Sequence, residues 1–217
     1  MIYGAEEMIR DVRVAIDMNC VEKSLLGSGD EDTLRLDEII GSKLSEGARL
    51  VLVEAPSRLL ESGHDFVNED LSNFFMGEDG KGFVILPDDF LRLVSFRMSD
   101  WSRTVYDAIS ENDPRYALQS SRWKGICGNP EKPVAAVVRR SEGLVLEFYS
   151  CRDRDATVAQ ASYVPVPRVD GAGMIDIAEG CYRAAVYKAA ALTLASYGDQ
   201  GFQTMNEMGN SLLRRDG

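Results

Sequence analysis

Apolar residues recur at helical spacing at both ends of the chain and at alternating spacing between them. Met8, Val12, Ala15 and Ile16 lie on one stripe and predict a helix over roughly 5–20, with Glu6 and Glu7 near its positive end. Ile40, Leu44, Ala48, Val51 and Ala55 keep near i, i+4 spacing over 34–55, until Pro56, which cannot continue a helix. A third helix is predicted over 176–197, with Ala178, Cys181, Ala185, Ala189, Leu192 and Ala195 as its buried stripe. Its many alanines leave it slim enough for more than one neighbour. Asp176 and Glu179 resemble a capping box at its start, and Gly198 suits the position just past its end. A fourth helix, 199–215, offers Phe202, Met205, Leu212 and Leu213 before the basic pair Arg214-Arg215.

The middle reads differently. Gly82–Leu86 and Phe90–Met98 are strand-like and separated by the turn Pro87-Asp88-Asp89. In the second strand Phe90, Val94, Phe96 and Met98 share one face and Leu91, Leu93 and Ser95 the other, which predicts a strand covered on both sides. Pro133–Cys151 is a hairpin around Ser141-Glu142-Gly143, a three-residue loop in which Gly143 takes positive φ. Thr157–Val166 is a further strand, its end confined to an edge by Pro165 and Pro167. Gly27–Asp32 is a polar loop, and 57–81 is irregular apart from the apolar island Phe74-Phe75-Met76. No terminal stripe can bury its apolar face alone. The expectation is an α+β fold: a discontinuous helical core from 1–81 and 169–217, with a small antiparallel β insert at 82–168.

Charge sharpens this picture. Net charge is −11 over 217 residues, and it is unevenly placed: residues 1–82 hold 18 acids and 8 bases, residues 83–217 hold 17 and 16. An acidic half does not suit sequence-reading of nucleic acid, which needs phosphates neutralised, but it suits a surface that DNA slides past. Arg92, Arg97, Arg103, Arg115, Arg122, Lys124, Arg139 and Arg140 make the β region the most basic part, and they can face the acidic half of a neighbour. Cys20, Cys127, Cys151 and Cys181 form no CxxC pair and read as reduced thiols. The first residues lack the basic and apolar regions of a signal peptide, and no apolar run reaches the roughly 20 residues that span a bilayer. A soluble chain made in a cytoplasm, without a membrane partner, is expected.

Chemistry is sparse. His64, the single histidine, stands beside Asp65, and no strained turn presents a nucleophile to it. Cys127, flanked by glycines, is the one candidate for a small cysteine-dependent enzyme. Asp30-Glu31-Asp32 and Asp88-Asp89 lack the spacing of a calcium loop. No catalytic, metal or cofactor residue is assigned. Trp101, Tyr106, Tyr116 and Trp123 lie in loops and are candidate interface anchors. Phe202, Met205, Met208, Leu212, Leu213, Arg214 and Arg215 make the last helix a candidate docking element, since methionines adapt to uneven surfaces. A monomeric binding module built on the β insert is the remaining alternative.

Leu36-Asp37-Glu38-Ile39-Ile40, Glu54-Ala55-Pro56 and Ile85-Leu86-Pro87-Asp88-Asp89-Phe90-Leu91-Arg92-Leu93 resemble the opening of phage head–tail connector proteins. Gln119-Ser120-Ser121, Gly128-Asn129-Pro130, Pro133-Val134 and Leu146-Glu147-Phe148-Tyr149 resemble their β insert, and the alanine-rich helix their last core helix. These are the adaptor rings under the portal, called tail tubular protein A or tail accessory factor in short-tailed phages. The pattern is most similar to ring proteins of phages infecting Bacteroidetes, including the crAss-like group. The resemblance implies a virion protein of the head–tail neck, assembled in the host cytoplasm. It implies copies of itself in a ring, usually of twelve, bound to the portal and to further ring or tail proteins. Double-stranded DNA would pass without sequence recognition, the packaged genome would be retained, and the C-terminal segment would reach the portal. It implies no catalytic residues.

Overall fold

The fold is that of a computed structural model, which describes residues 1–19, 30–60, 63–121, 123, 125–149, 151–152 and 155–214. Cys20, residues 27–29 of the expected Gly27–Asp32 loop, Arg122, Lys124 and Arg215 lie outside the described residues, and Asp30-Glu31-Asp32, expected in that loop, are helical instead. In chain order the elements are β1 (Ile2–Gly4), α1 (Ala5–Asn19), α2 (Asp30–Glu54), β2 (His64–Asp65), β3 (Phe74–Met76), β4 (Gly82–Ile85) and β5 (Phe90–Met98). There follow β6 (Ile109–Ser110), α3 (Pro114–Leu118), β7 (Ala135–Arg140), β8 (Gly143–Phe148), β9 (Val158–Pro165), β10 (Met174–Asp176), α4 (Glu179–Ser196) and α5 (Gly201–Arg214). The fold class is α+β, and the chain forms two compact units: Met1–Glu61 with Val166–Gly217, and Ser62–Pro165.

The first unit joins both ends of the chain. Helix α4 is its axis and packs against α1, α2 and α5. Met8, Val12, Ile16, Ile40, Leu44, Ala48, Val51 and Ala55 are all essentially buried, as the two N-terminal stripes predicted. Each large aliphatic side chain so buried contributes about 1.5–3 kcal/mol. Helix α4 departs from a single stripe. Cys181, Ala184, Ala185, Val186, Ala189, Ala190, Ala191 and Leu194 are buried, whereas Leu192 is half-buried and Ala195 exposed. Neighbours on three sides account for this. The capping box is absent too: Ala178 is the N-cap and makes no side-chain cap, because Asp176 belongs to β10, paired in register with Ile2 of β1.

Helices α2 and α4 approach so closely that side chains are excluded between them. A Cβ added at Gly47 would meet the backbone nitrogen of Ala189 at 2.8 Å and its Cβ at 3.1 Å. Helix α5 lies against another side of α4, with Gly209 over Ala184 and Lys188. Lys188 is 6% exposed, and its ammonium donates to the side-chain oxygens of Asn206 and Asn210, both at 2.6 Å. A buried cation needs such acceptors.

The second unit begins earlier than position 82. Residues 62–81, assigned from sequence to the helical core, belong here, since β2 pairs with β9 and β3 with β4. A three-stranded sheet (β2-β9-β5) and a five-stranded one (β3-β4-β8-β7-β6) share an apolar core of Leu93, Phe96, Met98, Tyr163, Leu146 and Phe148. The sheet is not wholly antiparallel, because β6 runs parallel to β7. Strand β5 does not carry two apolar faces in strict alternation. Register shifts between Phe90 and Arg92 and between Leu93 and Ser95 change its parity, so Leu93 joins Phe96 and Met98 in one cluster. The hairpin loop holds two residues, Ser141 and Glu142, because Arg140 pairs with Gly143, whose φ is 123°. Strand β9 is central in its sheet, but the short β2 pairs only at Ser162 and Tyr163, so both the Val158 end and the Pro165 end of β9 extend past it.

The close helix approach is directly testable. Gly47→Ala gains about 1 kcal/mol of helix propensity but forces backbone apart, so a net loss of about 1–3 kcal/mol is expected in urea unfolding. Gly41→Ala, on the same helix, meets only the flexible tip of Ile9 at 3.7 Å and is expected to be neutral or stabilising.

Candidate functional site

The catalytic candidates find structural partners. His64 sits on β2 with its ring edge-on to Tyr163 at 6.0 Å. The Cys127 thiol donates to the Trp123 carbonyl at 3.6 Å. Cys151 is buried, and burial, reinforced by Asp100, pushes its thiol up to about 12, far from a nucleophile's range. Cys181 is also buried and donates to the Leu59 carbonyl.

The densest polar constellation lies on the five-stranded sheet, on the face turned away from the shared core. Strand pairing of β7 with β8 and of β8 with β4 puts Arg140, Glu147 and Phe83 on this face, where Tyr149 follows beyond β8 and α3 supplies Tyr116. Glu147 is 4% exposed. Its Oε1 accepts from Arg140 Nε at 2.8 Å, with a second guanidinium nitrogen at 2.6 Å. Its Oε2 accepts from the hydroxyls of Tyr149 and Tyr116. The Arg140 guanidinium lies 4.6 Å from the Phe83 ring centre, and Phe83 stacks on Phe75 at 4.8 Å. A cavity of about 380 Å³ adjoins this stack, lined in part by Phe75, Lys81, Arg140 and Tyr149. All acceptor positions of the carboxylate are filled from within the protein, so the network fixes geometry and leaves no free base. Sequence reading missed it. The usable signal was parity: on a two-residue hairpin, 140 and 147 fall on the same face.

Expected anchors divide into two groups. Trp101 is 2% exposed and packs edge-on to Phe96 at 5.5 Å, so it is a core corner and not an anchor. Tyr116 is held by Glu147. Tyr106 and Trp123 are 58% and 75% exposed. The Trp123 carbonyl accepts from the Ile126 amide at 2.9 Å, and its own amide donates to the Ser121 hydroxyl. The buried Gln119 side chain ties this turn to α3, accepting from Gly128 and donating to the Arg115 carbonyl. In α5, Met205 and Leu213 are buried with Gly209, Leu212 is half-buried, and Phe202, Met208 and Arg214 are exposed. Met205 and Leu213 are therefore withdrawn from any partner, because the helix folds back on its own unit.

Among the described residues, no group of three or more His, Cys, Asp or Glu side chains is placed to hold a metal ion, and no described helix is long and apolar enough to cross a membrane. No family model matches the chain, nor does any curated protein.

Two outcomes follow from these environments. Burial, with the adjoining carboxylate, raises the Tyr149 phenol above its ordinary 10.0, and burial with Asp89 raises Tyr163 to about 12. Raised phenols favour the neutral folded state. Stability is therefore full below pH 10 and falls above it, where the unfolded chain loses protons first. Tyr149→Phe should make that alkaline fall shallower in urea titrations, while costing about 1.5–3 kcal/mol at pH 7 through the lost charged hydrogen bond. Truncation after Tyr197 removes Met205 and Leu213 from the core, about 3–6 kcal/mol of burial, and strips Lys188 of its acceptors. The shortened chain should show a sharply lowered melting midpoint by circular dichroism.

Proposed function

We propose that this chain is a subunit of a phage head–tail connector ring, a structural virion protein that docks under the portal, extends the DNA channel and helps retain the packaged genome. One observation carries this: helices from both ends of the chain build a single unit, while the intervening 62–165 builds a self-contained β unit, the organisation implied by the connector resemblance. The fully occupied carboxylate network and the inert buried thiols agree with a part whose work is contact and not catalysis. The acidic 1–82 segment, with 18 acids against 8 bases, suits a channel wall that repels DNA phosphates. Its partners are copies of itself, the portal and further tail proteins.

The experiment is reconstitution of the full chain with the portal protein encoded in the same genome, followed by electron microscopy and native mass measurement. A closed ring, expected at twelve copies, seated on the portal is the anticipated result. A chain that stays monomeric in the presence of the portal overturns the proposal. Cys127→Ala with His64→Ala should assemble as wild type; a folded double variant that assembles yet yields non-infectious particles would point instead to an enzyme.

A further inference from the structure

The α1–α4 surface of the helical unit holds a cavity of about 240 Å³, lined by Asp11, Val14, Ala15, Tyr182, Arg183, Val186 and Tyr187. It is below the roughly 300–1,000 Å³ of small-molecule sites and is suited to one aromatic side chain. Val14 lies on it 55% exposed, so its α1 side is apolar and open, while the exposed Arg183 stands on its α4 side. Asp11 closes one side, with its Oδ2 accepting from the Tyr182 hydroxyl at 2.8 Å. A carboxylate has about four acceptor positions, which leaves room for a further donor.

The chain carries a matching knob. Trp123, 75% exposed, is the most exposed large apolar side chain among the described residues. Its carbonyl accepts from the Ile126 amide, and Gln119 accepts from the Gly128 amide nearby. An indole seeks an acceptor for its N–H when buried, and Asp11 offers one. Charge also matches: residues 114–130 carry three bases and no acid, while α1, at 5–19, carries four acids and two bases.

We infer that the Trp123 turn of one copy inserts into the α1–α4 cavity of a second copy, with the indole N–H donating to Asp11. This rests on the self-associating reading above and adds the contact that would make it. Knob and socket are different surfaces, so the contact is head-to-tail, which generates rings or filaments and not an isologous dimer.

Sedimentation of the full chain over a concentration series tests it, with variants at exposed positions checked for unchanged melting. Trp123→Glu and Val14→Glu should each weaken self-association by about thirtyfold or more, the scale of an interface hot spot. Val14→Trp, which fills the cavity without adding charge, should do the same and substitutes if Val14→Glu fails to fold. An equimolar mixture of Trp123→Glu, which keeps its socket, and Val14→Glu, which keeps its knob, should form heterodimers and nothing larger. Variants that associate as wild type would overturn the contact while leaving the ring proposal standing. So would variants that both lose association yet fail to complement each other. A wild-type chain that stays monomeric both alone and with the portal would overturn both.

Discussion

The first unit depends on how near α2 and α4 come to one another. These helices lie on opposite sides of a stretch of more than a hundred residues, yet Gly47 lies against the Ala189 backbone with no space for even a methyl group. Contact this close makes dispersion and apolar burial along both helices as large as helix geometry permits. It also explains the composition of α4. A helix gripped on three sides has little room for bulk, and alanine takes half of its buried positions. With α4 seated, α1 and α5 have a surface to close against, and the two ends of the chain become one unit.

Where one periodicity governed burial, the fold was legible. Stripes in α1 and α2 emerged as written, and the principal strands lie close to where alternation put them. Errors arose where a second constraint intervened. Asp176 and Glu179 have capping spacing, but the pairing of Asp176 with Ile2 is a contact with the far end of the chain that no local window contains. Leu93 and Phe96 have opposite parity in sequence and share a core because of a bulge. Residues 62–81 look irregular because their strands are only two or three residues long, too short to show a period. The aromatic anchors could not be sorted by type alone: Trp101 and Trp123 both sit in loops, and only three-dimensional neighbours separate core corner from exposed knob.

Polar chemistry on the β unit is directed inward. Glu147 is bracketed by a guanidinium and two phenols, and Gln119 spends both ends of its amide on backbone groups. Such satisfied networks hold a surface in one shape. Around these networks the unit still exposes charged side chains, among them Arg97, Arg103 and Arg139, beside the rings of Tyr106 and Trp123.

The insert also has an entrance and an exit that touch. Gly63, at φ 73°, leaves no room for a side chain against the Tyr163 carbonyl, and His64 then pairs with Tyr163 in register. The β unit is thus clasped where it begins and ends and closed on itself, whereas the helical unit waits for α4 and α5, which follow the insert in the chain. During synthesis the chain emerges N-terminal end first, and local units form as they appear. Residues 62–165 can condense while α1 and α2 still lack α4. The long-range helix pairing, with its high contact order, comes only once α4 has been made. Until that moment the apolar stripes of α1 and α2 have only each other and lack the cover of α4, which makes the nascent chain, more than the finished protein, the form exposed to aggregation.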